Sequence, residues 1–151
     1  MKVKAAGVIV YKKEKTEIKF LMLRHQNGVY WKFPSGHVES DDADEMDAAL
    51  RELSEETGIN ERDIVFNRDF KENISYHYES DNPRYGKKSI DETVIFFLAE
   101  TKVSEIKMSA EHSDWGWFDF ETAQKRAYFQ EQQDLLKKAR NFLLSNENIL
   151  L

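Results

Sequence analysis

A chain of 151 residues has room for one domain with a real core and hardly a second. With 40% hydrophobic and 13% aromatic residues it is not a disordered chain, and the absence of cysteine excludes disulfides, thiolate zinc sites and cysteine nucleophiles. The balance of 22 basic against 28 acidic residues gives a net charge of −6, which argues against sequence-independent binding to duplex nucleic acid.

Residues 4–12 (KAAGVIVYK) and 17–25 (EIKFLMLRH) are β-rich runs joined by a polar KKEKT turn, which predicts a hairpin. The apolar run at 5–11 is too short for a signal peptide's core or for a membrane span, so a cytoplasmic protein without a membrane partner is expected. A short segment at 30–34 leads into the Ser35-Gly36 turn and His37-Val38-Glu39.

From 42 to 57 the pattern turns helical. Met46, Ala49, Leu50 and Leu53 recur at three- and four-residue steps, Ser40, Asp41 and Asp42 are N-cap candidates, and Gly58 is the C-cap candidate. Residues 64–79 read as extended, 79–91 (ESDNPRYGKKSID) as a polar loop, and 93–101 as a strand buried on both faces. A further extended run at 115–120 precedes a helix around 129–144, with Leu135, Leu136, Ala139 and Leu143 on one side. No repeat or linker interrupts the order, so one domain over 1–151 is expected, with helices flanking a mixed sheet.

The chemistry concentrates in Arg51-Glu52-Leu53-Ser54-Glu55-Glu56-Thr57-Gly58-Ile59. On a helix Glu52 and Glu56 are i and i+4, and Glu55 stands three positions after Glu52, so three carboxylates share a face. Their repulsion calls for a cation, and oxygen ligands on a rigid element suit Mg²⁺ or Mn²⁺. Arg51 is placed to orient a glutamate through a bidentate pair.

The segment resembles the Nudix box: Gly, five residues, Glu, seven residues, then Arg-Glu-apolar-any-Glu-Glu-any-Gly-apolar. Positions 51–59 match throughout. The first half departs, because Asp42 stands where Glu is expected after Gly36, and eight residues rather than seven follow it. The resemblance implies an α+β fold, an α/β/α sandwich with a mixed central sheet, and hydrolysis of a nucleoside diphosphate linked to another moiety. It implies that Glu55 and Glu56 ligate a divalent metal, that Glu52 is a third ligand or the base that activates water, that the Gly36 carbonyl is a further contact, and that Arg51 holds the glutamates. A base that must be ionised predicts activity rising into neutral or alkaline pH.

Beyond the box the chain is similar to the asymmetric diadenosine tetraphosphate hydrolases of that family, through AAGVIVYKK, IKFLMLRH, WKFPSGHVE, FKENISY, MSAEHSDWGW and AYFQEQQDLLKKARNFL. That similarity implies Glu111 as a distant metal ligand and Tyr76 and Phe129 as rings that sandwich a nucleobase. Arg84, Lys87 and Lys88 are candidates for the outer phosphates, and His37 and His112 for supporting rather than catalytic roles. Tyr30 in place of His, Ser35 in place of Lys and Asp41 in place of Gly depart from the group. The implied substrate is a dinucleoside polyphosphate. The same glutamates would also serve an RNA 5′-pyrophosphohydrolase or a nucleoside triphosphate pyrophosphatase, and a binding module without catalysis is the reading from another class.

Overall fold

Along β1 (Lys2–Glu14), Ala6, Val8 and Val10 alternate with Ala5, Ile9 and Tyr11, and all six are buried. A strand buried on both faces needs a layer on each side, and it gets one. The computed structural model describes residues 1–84 and 86–146. Tyr85 of the expected polar loop and 147–151 of the expected domain therefore lie outside the described residues.

The expected hairpin forms between β1 and β2 (Glu17–His25), in the register Tyr11↔Phe20 to Glu14↔Glu17. Next come β3 (Trp31–Lys32), β4 (Ser35–His37), α1 (Glu45–Thr57), β5 (Ile64–Ser80), β6 (Lys88–Thr101), β7 (His112–Phe118), α2 (Phe120–Arg126) and α3 (Gln130–Asn146). The sheet order is β3-β2-β1-β6-β5, with β4 on β1 and β7 on β2. Among the described strands β1 and β6 run parallel and the other named pairs antiparallel, so the sheet is mixed.

Ala6, Val8 and Val10 pack with Ala48, Ala49 and Leu53 of α1, together with Ile95, Phe97 and Ala99 of β6. Ile9 and Tyr11 pack with Phe96 and Leu98 under Leu135, Leu136, Ala139 and Leu143 of α3. Fully burying such aliphatic and aromatic side chains is worth about 1.5–3 kcal/mol each. The result is the α/β/α sandwich, in which α1 on one face carries the carboxylates. Among the described residues no helix is long and apolar enough to cross a membrane.

Several boundaries differ from expectation. Asp44, not 40–42, caps α1, its carboxylate accepting from the Asp47 N–H at 2.8 Å. Gly58 does end the helix, in the left-handed region at φ 77°. Within the polar stretch 79–91, β5 runs on to Ser80 and β6 begins at Lys88, because polar side chains pair across these strands: Ser89 donates to Glu79 at 2.9 Å and His77 meets Asp91 at 2.7 Å. The run expected at 115–120 starts earlier and stops at Phe118, where the Asp119 carboxylate accepts from the Thr122 N–H at 2.8 Å and begins the unexpected short helix α2.

Candidate active site

The carboxylates of α1 do not stand in equivalent surroundings. Glu55 is exposed, Glu52 is half-buried on the wall of a cavity of about 740 Å³, and Glu56 is only 4% exposed. Helical spacing put them on one face; β4 and the start of β7 then close over the end nearest Glu56. The Ser35 N–H donates to Glu56 Oε1 at 2.9 Å, and His112 Nε2 lies 3.3 Å from Oε2. Burial, followed by the charge of Glu52, pushes the Glu56 carboxyl up to about 9, against the Ser35 hydrogen bond. Glu52 is raised in the same way, by burial first and with Glu55 and Glu111 adding to it, while Arg51 works to lower it.

Gly36 stands opposite Glu52, and the Glu52 carboxyl fills the space in which a Cβ at position 36 would lie. Any side chain there would displace the carboxylate from the cavity wall. Pairing of Gly36 with Ala6 across β4 and β1 fixes that close approach.

Arg51 ties the site together. Its Nε and Nη2 donate to the two Asp42 oxygens at 2.9 Å each, Nη2 also reaches the His37 carbonyl at 2.9 Å, and Nη1 donates to Glu52 at 3.0 Å and to Glu55 at 3.4 Å. The guanidinium holds the Asp42 carboxyl down to about 2, helped by the Glu39 N–H. Asp42, which departs from the motif in type and spacing, is therefore the residue that aims Arg51.

Glu111 is exposed at the cavity rim, and its backbone carbonyl accepts from the Gln26 N–H at 2.9 Å. Its charge raises both Glu52 and Glu56. Among the described residues no group of three His, Asp or Glu side chains stands ready-made around a cation. Arg51 occupies Glu52 and Glu55, and Glu56 engages Ser35 and His112. The donor set still suits a hard divalent cation: every candidate ligand atom is oxygen, and after burial the neighbouring carboxylate charges add to the raising of Glu52 and Glu56.

The candidate substrate residues divide. Arg84 lines the cavity and pairs with Glu39 at 3.1 Å. Lys87 and Lys88 do not line it; Lys88 opens β6 opposite Ser80. Tyr76 and Phe129 come together, but their rings meet edge to face at 5.6 Å and 64°, so no slot for a base lies between them as they stand. The Tyr76 hydroxyl accepts from Gln132 Nε2 at 2.9 Å.

Sequence reasoning missed a second group beside these. Phe129 also touches Tyr30 at 5.3 Å and Tyr128 at 5.1 Å, and Lys32 Nζ stands 5.1 Å over its ring. Glu92 accepts from the Tyr78 hydroxyl at 3.1 Å and meets His37 Nε2 at 3.1 Å. Burial acts to raise the Glu92 carboxyl, but these bonds and the charges of His37 and Lys32 hold it below its usual value. A WKF run in which polar and apolar residues alternate was the available signal for Lys32, but two strand residues are too few to show a period.

Comparisons with known proteins give the family and the fold. The family model described as NUDIX domain matches residues 1–139. The asymmetrical bis(5′-nucleosyl)-tetraphosphatase of Sus scrofa is 31% identical over 154 residues, covering 96% of this chain and 98% of its own length. Its Caenorhabditis elegans counterpart is 33% identical over 145 residues, covering 95% and 98%. A crystal structure of a C. elegans Ap4A hydrolase binary complex superposes with a TM-score of 0.82 at 34% identity, over 95% of this chain and 98% of that one.

Proposed function

Because this chain belongs to the Nudix family and is a hydrolase acting on phosphoanhydride bonds, we propose that its substrates are dinucleoside polyphosphates, with diadenosine tetraphosphate cut asymmetrically to ATP and AMP. The observation that carries this reading is the likeness, over nearly the full length of both chains, to proteins named for that reaction. The carboxylate-lined cavity beside an aromatic group supports it, since a dinucleoside polyphosphate presents both phosphates and bases.

Glu55 and Glu56, with the Gly36 carbonyl and Glu111, would hold Mg²⁺ or Mn²⁺, which leaves Glu52 as the base. When bound, such an ion neutralises phosphate charge and makes water a better nucleophile at neutral pH. Glu52, on the cavity wall with a carboxyl raised by burial, accepts the proton of the attacking water. The water oxygen bonds to phosphorus, the bridging P–O bond breaks, and the bridging oxygen leaves with the bonding pair on the departing nucleotide. Arg51 keeps Glu52 on the cavity wall while Asp42 fixes Arg51. Arg84 meets outer phosphates from the rim, and Tyr76 and Phe129 take a base once one ring turns from the other.

The test is a substrate panel with Mg²⁺: diadenosine tetraphosphate, nucleoside triphosphates, 5′-triphosphorylated RNA and ADP-ribose. Diadenosine tetraphosphate is expected to have the highest kcat/KM. A faster reaction with another member would retain the hydrolase and overturn the substrate, and silence throughout would favour a binding module.

A further inference from the structure

We propose that Lys32 is the cation that grips the substrate's polyphosphate chain, where that chain passes from the aromatic group to the carboxylates of α1. This assignment rests on the nucleotide reading above and adds to it a residue that the box does not contain.

Lys32 lies on the two-residue strand β3, beside Leu23 of β2, and is half-buried. Its ammonium stands 5.1 Å over the Phe129 ring. Among the described residues it makes no hydrogen bond and no ion pair, so the ring face is its contact of that kind. An ammonium drawn out of water keeps three strong donors, and a π face satisfies none of them as an oxygen would. Burial accordingly lowers its pKa, against the charges of Glu92 and Glu56.

Glu92 already engages His37 and Tyr78, so it holds Lys32 in its field without closing on it. Glu56 belongs to the carboxylate site, whereas Phe129 belongs to the ring group with Tyr30, Tyr128 and Tyr76. Lys32 stands three residues before Ser35, whose N–H donates to Glu56, and its ammonium lies over the Phe129 ring, so it sits between the two groups. A nucleoside polyphosphate with its base at the rings and its reacting phosphorus near Glu52 must run its intervening phosphates through that space. Lysine suits that task as a point charge with rotatable donors, which accepts phosphate oxygens from several directions.

The test compares ATP with adenosine as ligands of wild type, Lys32→Gln and Lys32→Arg, by calorimetry with Mg²⁺ present. Lys32→Gln is expected to weaken ATP by about tenfold to a hundredfold, to leave adenosine unchanged, and to raise KM for diadenosine tetraphosphate more than it lowers kcat. Lys32→Arg should restore most of the ATP affinity. The assignment is overturned if Lys32→Gln binds ATP like wild type, if it weakens ATP and adenosine alike, which would make Lys32 only a prop for Phe129, or if Lys32→Arg fails as fully as Lys32→Gln. A wild type that prefers ATP through Lys32 yet does not cleave diadenosine tetraphosphate would uphold Lys32 and sink the proposed substrate.

Discussion

Asp42 and Arg51 meet through two parallel hydrogen bonds of 2.9 Å, and the same guanidinium reaches Glu52 at 3.0 Å. A carboxylate outside the helix thereby sets the direction of a side chain inside it, and through that side chain the position of a candidate base.

Asp42→Asn should therefore act on catalysis without touching substrate. Asparagine retains one acceptor, so Arg51 loses its fork geometry, and kcat/KM should fall by about 10–100-fold, the range seen when groups that orient a ligating side chain are removed. Wild-type kinetics for this variant would mean that Arg51 is held by other means. The sign for stability follows from the depressed carboxyl: the contribution is present above the ordinary value of 3.8 and is lost as pH falls through about 2.

Glu56→Gln should lower turnover by orders of magnitude and leave the fold standing. Gln is isosteric with the protonated carboxyl that burial favours at neutral pH, and its oxygen can still accept from Ser35. In chelator its melting temperature should equal or exceed that of wild type. A large loss of stability would make Glu56 a structural residue first.

Stability in chelator should fall as pH rises. Glu56 is raised from 4.5 to about 9 in the folded chain, so its contribution is fully present below 4.5 and is lost as pH climbs through about 9. Mg²⁺, which binds the ionised carboxylates, should raise the melting temperature more at the alkaline end than at the acidic end. Thermal melts with and without Mg²⁺ from about pH 5 to pH 9 check this, and an equal shift at every pH would contradict it.

Tyr76→Phe separates packing from base recognition. Gln132 is buried, its Oε1 is without a partner among the described residues, and its Nε2 donates to the Tyr76 hydroxyl. Removing that hydroxyl should destabilise the protein by about 1–2 kcal/mol while KM stays near wild type, because a ring still faces the substrate. Tyr76→Ala should additionally raise KM. If Tyr76→Ala loses stability alone, Tyr76 is a core residue and takes no base.

The fold was legible wherever a period ran long enough. Met46, Ala49, Leu50 and Leu53 set the register of α1, and that register brings Glu52 and Glu56 to one side. Periodicity could not say that β4 covers Glu56 and leaves Glu55 in water, since that depends on where Ser35 and His112 arrive from elsewhere in the chain. Asp42 read as a departure because its partner lies across the loop into α1. The length of the β5–β6 strands was hidden because an edge strand can be polar on its exposed face, as the His77–Asp91 and Ser89–Glu79 contacts are.

The most direct test of the proposed chemistry is the product of diadenosine tetraphosphate hydrolysis in ¹⁸O-labelled water with Mg²⁺, read by mass spectrometry. Equal amounts of ATP and AMP are expected, with one labelled oxygen on one of the two. Two molecules of ADP, or an intact substrate beside rapid hydrolysis of another nucleotide, would contradict that chemistry.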